Sequence, residues 1–140
     1  MLIYFDTSVL VPYYSLEART DDALGIVAKA TLPVISGLGI AELNVVIQRK
    51  RHEGYLTSGA TQKVFEVLDR HLEEIYVNVR IDAGHVAATR SLASRADLRL
   101  RTLDALHLAI AQDVGGAFDD RLATAARHLG VSVLGSEPRT

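Results

Sequence analysis

Leu2-Ile3-Tyr4-Phe5-Asp6-Thr7-Ser8 packs a strand, an acid and the start of a helix into seven residues. The branched and aromatic side chains at 2–5 suit a buried strand. An Asp followed by two hydroxyl residues leads naturally into a helix, because its carboxylate accepts from the first unpaired backbone N–H groups. Asp6 therefore has two readings, helix cap and functional acid, and both stay open.

Working outward, three more short runs share this strand character, at residues 34–36, 75–79 and 131–134. Segments with helical spacing separate them. Residues 21–30 form one, and Leu43, Val46 and Ile47 mark a second of about 14 residues that ends in a charged run and Gly54, a plausible residue just past a helix end. Val64, Val67, Leu68 and Leu72 mark a third, and residues 86–92 a fourth that Asp82 can cap. Thr102 is the expected N-cap for 103–114, where Leu103, Leu106 and Ile110 make a stripe that Leu108, Ala109 and Ala111 widen around most of the circumference. That helix should be largely buried. Gly115-Gly116 breaks it, Ala117-Phe118 suits a very short strand, and Asp119 or Asp120 can cap a last helix ending before Gly130. Strands that alternate with helices predict a parallel sheet covered on both faces, an α/β fold, because parallel neighbours need crossover connections.

The composition agrees with one such domain over residues 1–140. The 17 acidic and 15 basic residues leave a net charge of −2, so any nucleic-acid binding must come from local basic patches. With 49% apolar and 23% charged residues the chain can bury a core, which argues against disorder. There is no cysteine, so disulfides, thiolate zinc sites and cysteine nucleophiles are excluded, and a metal would be held by oxygen or imidazole. The longest stretch without a formal charge, 30–41, falls far short of the ~20 residues of a spanning helix. The first residues do not read as a secretory signal, and the expected location is the cytoplasm.

In open parallel sheets, functional groups gather beyond the C-terminal ends of the strands. Asp6, Glu42, Asp104 and Asp119 (or Asp120) all fall at such strand-to-helix junctions or in first helical turns. Each has a plain structural reading as a cap or a dipole-favoured charge. Their joint placement is the signal. Two carboxylates about 4 Å apart repel by ~4 kcal/mol at an effective dielectric near 20, so a cluster of them calls for protonation or a divalent cation. Mg2+, or Mn2+, suits an all-oxygen site and supports hydrolysis of phosphodiesters.

With Ile3-Tyr4-Phe5-Asp6-Thr7-Ser8-Val9-Leu10, Ile40-Ala41-Glu42-Leu43, Arg101-Thr102-Leu103-Asp104-Ala105-Leu106-His107-Leu108-Ala109 and Phe118-Asp119-Asp120-Arg121-Leu122, the chain resembles the PIN-domain ribonucleases, and among them the VapC-type toxins of type II toxin–antitoxin systems. The first and third motifs are the more specific. The resemblance implies a three-layer α/β/α sandwich with a central parallel sheet and a metal-dependent endoribonuclease. By it, Asp6 and Asp104 hold the principal Mg2+, Glu42 completes or positions the site, and Asp119 binds the metal directly or through water. It also implies a structured RNA substrate such as tRNA or rRNA, a cognate antitoxin and a homodimer. The sequence departs from the family at Ala117, where a Thr or Ser is usual. The segment 113–118 is also shorter than usual, which leaves Asp120 as a rival to Asp119.

Arg49-Lys50-Arg51-His52 and Arg90, Arg95, Arg99 and Arg101 are candidate phosphate contacts, with solvated helix ends as the plain alternative. His107 lies three residues past Asp104 and reads as a satisfied core histidine outside the site. The stretch 9–14 is either core or a receiving surface for an antitoxin helix or second subunit. A haloacid-dehalogenase-like reading lacks its second Asp, since that position is Ser8, and a receiver-like reading lacks a suitably placed lysine. The stronger alternative is a catalytically silent PIN-like module that binds RNA or protein.

Overall fold

A computed structural model describes residues 2–15 and 20–114. Its elements run β1 (Leu2–Tyr4), α1 (Thr7–Tyr14), α2 (Thr20–Lys29), β2 (Leu32–Ser36), α3 (Gly37–His52), α4 (Ser58–Glu74), β3 (Val77–Val79), α5 (Ala83–Ala93) and α6 (Thr102–Val114). The strands form a parallel sheet in the order β1-β2-β3. Leu2 pairs with Leu32 and Tyr4 with Val34, while Val34 pairs with Val77 and Ser36 with Val79.

Side-chain alternation along the strands sorts the core into two layers. Ile3, Phe5 and Ile35 pack with Leu10, Leu43, Ile47 and Leu68 from the α1–α4 side. Tyr4 and Val34 pack with Leu92, Ala105, Leu108 and Ile110 from α5 and α6. Both crossovers step the same way across the sheet, and two crossovers of the same hand place α1–α4 on one face, as the packing shows. The remaining helices cover the other, which completes an α/β/α sandwich.

Local chemistry explains most element ends. Asp82 caps α5 through the His85 N–H at 3.0 Å, and the His85 ring returns the contact by accepting from the Asp82 N–H, a reciprocal capping box. After α3, Gly54 takes a φ of +84°, and the Gly54 and Tyr55 N–H groups close onto the Arg51 and Lys50 carbonyls at 3.1 and 2.8 Å. This is the paired helix-ending arrangement that glycine makes easy.

Several boundaries differ from the expectation. The strand expected at 75–79 is only Val77–Val79, because α4 runs on to Glu74 and Ile75 is its C-cap. The second strand starts earlier, at Leu32, and takes in Pro33. The Phe5 N–H donates to the Val34 carbonyl at 2.8 Å, so Val34 faces β1 and the Pro33 nitrogen faces the β3 side. Pairing there begins only at Val34, so the missing hydrogen costs nothing. Thr102 is the first residue of α6 rather than its cap, since the Arg101 carbonyl accepts the first bond, from the Ala105 N–H at 2.9 Å. The α6 helix is buried as its wide apolar stripe requires. The expected elements from Gly115 onward lie outside the described residues.

Candidate active site

Asp6 is separated from the end of β1 only by Phe5 and is nearly buried, at 4% exposure. Both of its readings meet here: it is the N-cap of α1, its Oδ1 accepting from the Ser8 N–H at 3.0 Å and from the Ser8 hydroxyl. Capping places this carboxylate at the positive end of α1, where a negative charge is favoured.

Ser36 plays the same part for α3, accepting from the Gly39 N–H at 3.4 Å. Gly39 brings the first turn of α3 close to β1. A Cβ there would lie 3.4 Å from Leu10 Cδ1, 3.7 Å from the Phe5 carbonyl oxygen and 4.0 Å from His107 Cε1. Glu42 stands just beyond, half-buried, and its Oε1 accepts from Thr7 Oγ1 at 2.9 Å and from His107 Nε2. The other His107 nitrogen, Nδ1, is 2.6 Å from Tyr4 Oη, which is in turn 2.9 Å from Ser36 Oγ. Burial pushes the Tyr4 phenol well above its ordinary range; the Ser36 bond opposes this, and Asp6 and Glu42 both add to it. The phenol therefore keeps its proton while it lies in the field of both carboxylates.

At the C-terminal edge of the sheet, Glu42 is thus hydrogen-bonded to Thr7, the residue after Asp6, and to His107, while both acids act electrostatically on Tyr4. Asp104 sits half-buried in the first turn of α6, three residues before His107, a rise of about 4.5 Å along the helix. From sequence, His107 reads as a core histidine outside the site. It is buried and hydrogen-bonded as a core histidine should be, yet its partner is one of the candidate acids. The signal was available: a polar ring on a helix that is apolar nearly all round must find a partner. Asp119 and Asp120 lie outside the described residues.

Carboxylate oxygens are the donors that a hard cation such as Mg2+ prefers, so the residue types fit such an ion. Among the described residues, no three His, Asp or Glu side chains approach closely enough to form a metal cage by themselves. Gly37, Asn78, Val79, Arg80 and Ile81 line a cleft of about 410 Å3 at the ends of β2 and β3. Arg80 was not among the expected phosphate contacts. Of those that were, Arg49-Lys50-Arg51-His52 occupy the last turn of α3, about 10 Å or more along the helix from Glu42. Lys50 Nζ is tied to Ser15 Oγ at 3.0 Å, and Arg95 pairs with Asp97 at 2.8 Å. Among the described residues, no helix is long and apolar enough to cross a membrane.

The PIN domain family model matches residues 3–128. No curated protein gives a significant match. Among solved structures, the chain is similar to VapC20 of Mycobacterium tuberculosis, a sarcin-ricin loop cleaving toxin, with a TM-score of 0.69 and 17% identity over 89% of this chain and 95% of that one. FitAcB from Neisseria gonorrhoeae gives 0.71 and 16% over 95% and 96%. VapBC2 from Rickettsia felis, bound to a DNA fragment from its promoter, gives 0.64 and 12% over 95% and 96%.

Proposed function

The chain belongs to the PIN domain family, and from that premise we propose that it is a metal-dependent endoribonuclease acting as the toxin of a type II toxin–antitoxin system. The observation that carries the reading is the pair Asp6 and Glu42 beside one buried Tyr4 hydroxyl at the C-terminal edge of the sheet. Support for the toxin role comes from the overall likeness to a VapC toxin and to a VapBC structure.

In this reading Asp6 and Asp104 hold Mg2+ or Mn2+, Glu42 completes or positions the site, and Asp119 contributes the fourth carboxylate, with Asp120 as its rival. The bound ion supplies charge neutralisation at the phosphodiester and a more acidic water. The chain's own part is to keep Asp6 rigid through its cap on α1, to orient Glu42 by two donors, and to offer Arg80, which lines the cleft, to an RNA phosphate. The substrate is structured RNA of the tRNA or rRNA class, and the working assembly is a homodimer held silent by a cognate antitoxin. The protein acts as a single domain in the cytoplasm.

Total RNA incubated with the purified chain and Mn2+ or Mg2+ should be cut, and chelation should abolish the cutting. Asp104→Asn should lose more than the 10–100-fold typical of a residue that only supports a metal ligand, with its melting temperature unchanged. Equal cutting by wild type and Asp104→Asn would mark the activity as contamination. A chain that binds RNA without cutting it would be the silent PIN-like module.

A further inference from the structure

We propose that His107 is a positioning residue for Glu42, and that Tyr4 and Ser36 impose on its ring the tautomer that does this. The inference rests on the reading of Glu42 as part of the metal-dependent site. Glu42 and His107 are 65 residues apart, so their contact exists only in the folded chain. A carboxylate accepts and does not donate, so His107 Nε2 carries the hydrogen toward Glu42 Oε1. That leaves Nδ1 as the acceptor, and the Tyr4 hydroxyl, 2.6 Å away, donates to it. Ser36 Oγ receives the Gly39 N–H and passes its own hydrogen to Tyr4 Oη.

Every donor from Gly39 through Ser36, Tyr4 and His107 then points the same way, toward one carboxylate oxygen. Bonds aligned in such a chain polarise one another. Thr7 adds a second donor to the same Oε1 from the β1–α1 junction. Two donors from different elements fix the rotation of the Glu42 carboxylate, as hydrogen bonds behind metal ligands commonly do. His107 acts through Glu42 and touches no substrate.

Three substitutions separate positioning from packing. His107→Gln keeps an N–H donor of similar reach, His107→Leu fills similar volume without one, and Tyr4→Phe removes only the hydroxyl. For each, Mn2+ affinity is measured by titration calorimetry, RNA cleavage is resolved into kcat and KM, and folding is checked by thermal melting. His107→Leu should lose about 10–100-fold in Mn2+ affinity or kcat with KM for RNA unchanged. His107→Gln should recover most of that loss, and Tyr4→Phe should fall between Leu and wild type. A Gln variant as poor as Leu, or a Leu variant equal to wild type, overturns the proposal. Should His107→Leu fail to fold, wild-type affinity and kcat in Tyr4→Phe overturn it instead. A wild type that binds Mn2+ but leaves RNA intact defeats the nuclease reading, and the affinity series still judges His107. One that neither binds nor cuts overturns both.

Discussion

Two tyrosine–histidine relays lie on opposite faces of the sheet. On the α6 face, Ser36, Tyr4 and His107 run into Glu42. On the α1–α4 face, Tyr76 Oη is 2.7 Å from Tyr14 Oη, which is 2.7 Å from His71 Nδ1. Each runs hydroxyl, phenol, imidazole. The first ends at the half-buried Glu42 carboxylate. The second ends on the wall of a cavity of about 320 Å3, beside Tyr13, Leu24 and Val64. There, burial first and Arg70 second hold His71 below the ordinary histidine range, with Glu74 opposing them. The same three groups therefore serve two ends. Anchored on an acid they set a geometry, and at a cavity wall they make a group whose proton affinity matters.

The largest expected effect lies in a matched pair of substitutions. Tyr4→Phe strips partners from Ser36 and His107 in a fully buried site and should lower stability by about 1–3 kcal/mol, measured by urea unfolding, along with the loss of cleavage argued above. Tyr14→Phe should leave cleavage unchanged and cost less stability, because its surroundings are more open. If Tyr14→Phe slows cleavage as much as Tyr4→Phe, the two relays are not functionally distinct.

The next effect is in pH. His71 takes a proton less readily folded than unfolded, so its contribution is present above pH 6.5 and is lost as the pH falls. Tyr76 is pushed up to about 12, chiefly by burial, so its contribution is present below pH 10 and disappears as the pH rises toward 12. Urea midpoints should therefore decline on both sides of neutrality, and His71→Leu should flatten the acid limb. An acid limb unchanged in His71→Leu would assign that loss to other groups.

The smallest effect concerns a third histidine. His85 also has one nitrogen on a donor, the Asp82 N–H, and the other on a carboxylate, Asp113 Oδ2 at 2.8 Å. Asp113 is 62% exposed, and an Asn carbonyl accepts from the same Nε2–H. Asp113→Asn should change stability by no more than about 0.5 kcal/mol. A larger loss in thermal melts would mean that a carboxylate on an imidazole matters even at the surface.

The parts of the fold legible in sequence were those written in local periodicity. Residues 2–5 read as a strand, Asp82 as a cap and Gly54 as a helix end because each signal lies within one turn of what it predicts. Residues 75–76 misled because Ile and Tyr suit a strand equally well in isolation; continuation of α4 to Glu74 decided otherwise. In the site, Asp6 and Glu42 were visible as acids at junctions. That His107 must have a partner was legible, but which one was not, since Tyr4 and Glu42 are 103 and 65 residues away and a three-residue offset from Asp104 carries no trace of them. Helix spacing tells which way a ring points, and only the packed sheet tells what it meets.

Pro33 acts as a one-way stop on strand alignment. Were β3 to slide until a carbonyl came opposite residue 33, it would find a ring in place of a hydrogen. The observed pairing is thus the one in which β2 hides its only mute nitrogen. Since a shift by a single position would turn every β3 side chain over, this imino acid helps determine that Val79 looks toward α6 at all.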